Sequence, residues 1–135
     1  MADRSLVGQK LDLSFRLAAH ISEAGGPILA AYWEWHDEPG RWELVLVPKS
    51  ASEERKLIDA VVEELRQPAY RPVFSILDVR VSDREIKRAQ ALGAYVRTPD
   101  DIGRRFDTTF TGGEYFESVI IVYLAPELQR EHSVA

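Results

Sequence analysis

Three ionisable side chains, Glu34, His36 and Glu43, lie inside the aromatic stretch AAYWEWHDEPGRWELVLVP (30–48), which also holds all three tryptophans of the chain. Histidine and carboxylates together can bind a divalent ion, and a carboxylate beside an imidazole raises its basicity, so the set could serve metal or acid–base chemistry. On an extended strand residues two apart share a face, which puts Glu34 and His36 side by side. Glu43 joins them from across a turn. Polar groups alternating outward are also what any half-solvated hairpin displays, and packing is the reading we favour over catalysis.

A second set is cationic. Arg84, Lys87 and Arg88 share one helical face, and Arg80, Arg97 and the Arg104 and Arg105 of GRRF lie near them in sequence, all within the basic segment 80–105. Such a set could hold phosphate groups, because each lysine or arginine on a nucleic-acid backbone releases counterions. The plainer reading pairs these cations with Asp83, Glu85, Asp100 and Asp101 on a solvated surface. Nucleic acid is therefore a less favoured partner. His20, near the end of a helix, is expected to interact with the helix dipole, and His132 lies in the tail. No serine sits in a Gly-x-Ser-x-Gly elbow, and neither GGP nor TGGE has the spacing or lysine of a phosphate loop. Zero cysteines remove disulfides and thiolate chemistry, and three separated histidines argue against a structural metal. No cofactor is expected.

These residues are positioned by elements with distinct signatures. Residues 5–24 carry Val7, Leu11, Phe15, Ala18 and Ile21 at helical spacing, and AGGP stops the helix. Two strands follow around HDEPGR. Alternation sends Ala31, Trp33 and Trp35 to one face with Trp42, Leu44 and Leu46, and Tyr32, Glu34 and His36 to the other with Glu43 and Val45. A loop at 37–40 sets Glu34 opposite Glu43, a like-charged pair that needs solvent or a bridge; a tight Pro39–Gly40 turn sets Glu43 opposite His36 instead.

Ser50 and Glu53 are spaced as a capping box before a second helix striped by Leu57, Ile58, Val61, Val62 and Leu65, which Pro68 ends. PVFSILDVRV (72–81) reads as a third strand, and 82–93 as a third helix with a box at Ser82 and Glu85 and a stop at Gly93. Residues 94–104 fit no single element. RRFDTTF and YFESVIIVYL flank TGGE as a hairpin. The run Val119 to Leu124 is apolar on both faces, as in a strand covered on both sides by helices, or by helices and a partner.

The order αββαβαββ gives an α+β fold: a mixed, mostly antiparallel sheet of about five strands with three helices. Its length suits one domain over 1–126, with 127–135 as a C-terminal tail. The net charge of −5 conceals a basic middle between acidic ends: lysines and arginines against acids number 7 and 12 in 1–65, 9 and 5 in 66–105, and 1 and 5 thereafter. No apolar run has signal-peptide length or the roughly 20 residues of a membrane span, so a cytoplasmic protein without membrane contact is expected.

The expected function is a small protein-interaction or accessory module without catalytic activity, a homodimer or a subunit of a larger assembly, whose partner is itself or another protein. One alternative is a metal-dependent hydrolase or nuclease using Glu34, His36 and Glu43. The other is anion or nucleic-acid binding through 80–105. Whether the chain is an enzyme stays open at this point.

Overall fold

The computed structural model describes residues 8–38, 40–75, 78–97 and 100–129. Their elements are α1 (Gly8–Glu23), β1 (Ile28–His36), β2 (Arg41–Pro48), α2 (Glu54–Leu65), β3 (Val79–Val81), α3 (Ile86–Tyr95), β4 (Arg105–Thr111) and β5 (Glu114–Leu124). The strands form one sheet in the order β3-β2-β1-β5-β4. Only β3 runs parallel to its neighbour, because α2 carries the chain back across the sheet after β2. The fold is the α+β domain with a mixed five-stranded sheet that the residue patterns predict. Residues 5–7, Pro39, the middle of the predicted third strand at 76–77, and 98–99 lie outside the described residues, as do 130–135 with His132.

Helices cover both faces of the sheet. On one, Leu17 and Ile21 of α1 and Leu57 and Val61 of α2 pack on Ala31, Trp33, Trp35, Trp42, Leu44, Leu46, Ile120 and Val122. On the other, Ala89 and Leu92 of α3 pack on Tyr32, Val45, Val47, Phe116, Val119 and Ile121. The alternation expected of the hairpin therefore holds, and all three tryptophans are core. Trp33 donates its indole N–H to Ser14 Oγ at 3.0 Å and stacks on Phe74 at 5.8 Å, so the buried ring leaves no donor unmet. Strand β5 is apolar on both sides because it lies between β1 and β4 with helices above and below; burying it requires no second chain.

Three local expectations give way. The strand expected over 72–81 shortens to Val79–Val81: Val73 and Phe74 donate their backbone N–H groups to Tyr70 O, at 3.0 and 2.8 Å, which coils the chain into turns. Helix α3 runs past Gly93 to Tyr95, since that glycine serves contact rather than termination: a Cβ there would meet Leu128 O at 2.9 Å. Glu85 is no cap. Ser82 caps by accepting from the Arg84 N–H at 3.2 Å, while the Glu85 side chain is buried and turned to the sheet. At the C-terminal end, Pro126–Leu128 form a 3₁₀ turn with Leu128 packed on the α3-side core.

Candidate functional site

The β1–β2 loop is the longer of the two alternatives, and the register sets Glu34 opposite Glu43 and His36 opposite Arg41. Both carboxylates face α3, and two like charges on adjacent strands must be bridged if they are to be buried. Arg88 of α3 takes Glu34 in a two-pronged pair, Nη1 to Oε1 and Nη2 to Oε2, each 2.6 Å. Arg80, turned to this face by the alternation of the short β3, donates to Glu43 Oε1 and to Glu85 Oε1, each at 3.0 Å. Glu85 also accepts from Arg88 at 3.3 Å and from the Tyr32 hydroxyl at 3.3 Å, closing the chain of contacts. His36 Nε2 donates to Glu43 Oε1 at 3.2 Å from the rim.

The result is a clasp of alternating charge, Glu34–Arg88–Glu85–Arg80–Glu43–His36, tying the tryptophan hairpin to α3. Arg88 is the most committed member. It also donates to Tyr115 O at 2.7 Å and lies over the Phe116 ring at 4.0 Å. Burial alone would lower the Arg88 guanidinium, but the hydrogen bonds and charge of Glu34 outweigh it and raise it. Burial would likewise raise Glu85, yet Arg80 and Arg88 hold it below the usual carboxylate range. Tyr32 is pushed up by burial first and by Glu85 next, so it remains a phenol donor.

Of the residues singled out in the sequence, Glu34, His36 and Glu43 share one face, and Arg88 from the cationic set joins them. Arg104 and Arg105 lie elsewhere, against Asp101 at 3.5 Å and Asp107 at 2.8 Å. Arg84 and Lys87 are exposed beside the clasp. Among the described residues, no group of three or more His, Asp or Glu is placed to hold a metal ion. Sequence reasoning grouped Arg80 with the cationic set without giving it a partner in the hairpin, and took Glu85 for a cap. The available signal was the facing Glu34 and Glu43 themselves, which demand cations from whatever covers them.

It also missed a second arrangement across the sheet. His20 Nδ1 donates to Glu64 Oε2 at 2.8 Å, and the same oxygen accepts from the Tyr70 hydroxyl at 2.6 Å, while Gln67 donates to Glu64 Oε1 at 3.2 Å. Burial, and then the bond to Glu64, push the Tyr70 phenol up and keep it a donor.

A third feature is the β4–β5 hairpin. Gly112 and Gly113, both at positive φ, make its turn, and Thr111 Oγ1 donates to Ala91 O at 3.2 Å, fixing the tip on α3. Behind that anchor Phe110 and Tyr115 pair across the strands with ring centroids 4.8 Å apart, and they are 73% and 43% exposed. Nearby the ladder skips Thr108 opposite Glu117. Thr108 has φ 47°, a conformation hostile to a β-branched residue, and Glu117 Oε2 is buried without a hydrogen-bond partner among the described residues.

No helix among the described residues is long and apolar enough to cross a membrane. The chain matches no family model, no curated protein and no solved structure, so the argument about its function rests on these three features alone.

Proposed function

We propose that the chain is an association module, without catalytic activity of its own, that pairs with a second copy of itself through the β4–β5 hairpin. The observation that carries this reading is the Phe110–Tyr115 pair, two aromatic rings in tilted contact and turned to solvent on a tip anchored to α3. A ring already held in place loses little freedom on binding, and exposed aromatics are where interface energy concentrates. A two-fold contact sets the same patch against itself, as symmetric dimers do. The strained Thr108 and the unpartnered Glu117 oxygen on the same hairpin are the kind of local cost that accompanies a functional surface.

Size decides the strength. The two rings leave roughly 250 Å² of aromatic surface, against about 800 Å² per partner in a stable complex. The dimer is therefore expected to be weak and reversible, in the micromolar range or above. A metal-dependent reading is less favoured because both oxygens of Glu34 are held by Arg88 and Glu43 by Arg80. Anion binding through 80–105 is less favoured because Arg80 and Arg88 are spent on those carboxylates. A cytoplasmic setting suits the module and is part of the proposal.

Sedimentation velocity across a dilution series tests it. A concentration-dependent shift from monomer to dimer is expected, and Phe110→Ser should weaken dimerisation by about tenfold or more. A single species at every concentration, or a dimer indifferent to Phe110→Ser, overturns the proposal.

A further inference from the structure

A groove of about 290 Å³ opens between the C-terminal half of α1 and the length of α2. The helices run antiparallel there: His20 meets Glu64 near the end of α2, whereas Gly26 and Pro27, just beyond α1, border the groove with Lys56 from the first turn of α2. Ile21, Ala24, Pro27 and Ala60 give it an apolar lining. Its two ends carry opposite charge. Lys56 stands at one end with no ion-pair partner among the described residues, and Glu63 with the His20–Glu64 pair stands at the other. Eight residues of helix separate Lys56 from Glu64, about 12 Å at the α-helical rise.

This polarity runs against the helix that carries it. A helix favours acids in its first turn and bases in its last; α2 does place Glu54 in its first turn, but Lys56 joins it there on the groove side, and Glu63 and Glu64 stand in the last turn with no base. Glu64 is accounted for by His20, Gln67 and Tyr70. Among the described residues Glu63 has a 3.4 Å contact with Arg66 alone, both side chains being largely exposed, and Lys56 has no ion-pair partner. The two unfavourable charges are relieved together by one molecule that brings a cation to Glu63 and an anion to Lys56.

His20 borders the acidic end of the groove, its Nδ1 committed to Glu64. The Glu63 carboxylate beside it complements an ammonium group.

We propose that this groove binds a small dipolar molecule, an ammonium and a carboxylate joined by an apolar chain, with the ammonium at Glu63 and the carboxylate at Lys56. The site lies apart from the β4–β5 hairpin, so its test is independent of the association proposal. ε-Aminocaproate is the probe, titrated into the full chain and followed by backbone amide shifts. Saturable shifts at Ile21, Ala24, Gly26 and Ala60 are expected, and caproate and hexylamine, each carrying one of the two charges, should bind at least about tenfold more weakly. Lys56→Glu, an exposed change that leaves the core untouched, should abolish the shifts; Lys56→Glu combined with Glu63→Lys should restore them with the probe reversed. No saturable shift at these amides overturns the proposal. So does equal binding of the singly charged probes, or binding indifferent to Lys56→Glu.

Discussion

Arg88, on the α3 side of the sheet, meets Glu34, Glu85, the Tyr115 carbonyl and the Phe116 ring, and nothing of its guanidinium is left for a visitor. His20, on the opposite side, is held through one ring nitrogen only, beside a groove with an unpaired lysine at its far end. Both regions gather acids and bases at hydrogen-bonding distance. In the first every charge is answered from within the chain, which makes a fastening. In the second the helices are fastened through Glu64, but among the described residues nothing answers Lys56. Density of ionisable groups is thus a poor guide to a site, and what matters is which of them lack an internal partner.

The sharpest way to break this comparison is to remove one half of the fastening. Arg88→Ala strands Glu34 in a buried position, and a loss of about 3–5 kcal/mol in unfolding free energy is expected from urea denaturation. Replacing both partners, Glu34→Leu with Arg88→Met, should recover most of that loss. If Arg88→Ala alone is neutral, the clasp is an ornament and the contrast between the two regions fails.

The next effect is pH-dependent. Glu85 is lower in the folded chain than in the unfolded one, so its stabilisation is fully present above the unfolded-state pKa and is lost as pH falls through the lowered folded-state value. Glu85→Gln should reduce stability at neutral pH by about 1–3 kcal/mol and flatten the fall of the urea midpoint on acidification. A wild-type midpoint that falls no more steeply than the variant's would show that Glu85 does not supply this acid sensitivity. The smallest effect belongs to the open side. Tyr70→Phe removes one donor from a carboxylate that keeps His20 and Gln67, so a cost of about 1 kcal/mol is expected. A loss as large as that of Arg88→Ala would mean that the His20–Glu64 side is as structural as the clasp.

Periodicity made much of this molecule legible. The inward tryptophans, the shared opposite face of Glu34, His36 and Glu43 and the Gly112–Gly113 turn follow from spacing of two and from residues that tolerate special φ angles; that α3 covers that opposite face and buries Glu34 does not. Those signals are local. Arg88 lies 54 residues from Glu34 and Glu64 lies 44 from His20, and nothing within a window of a dozen residues encodes either meeting. Glu85 shows the limit well: its spacing from Ser82 fits a capping box, yet the arginines and the two acids across the sheet offer it a better place. Gly93 reads as a stop for the same reason, since the segment that leans on it, Leu128, comes 35 positions later.

The kink at Thr108 bears on how molecules can meet. Strand β4 is the long free margin of the sheet, and an unbroken margin is a template onto which further chains can be laid indefinitely. A backbone turned aside at its midpoint interrupts that template, which disfavours the open-ended addition of strands at this margin.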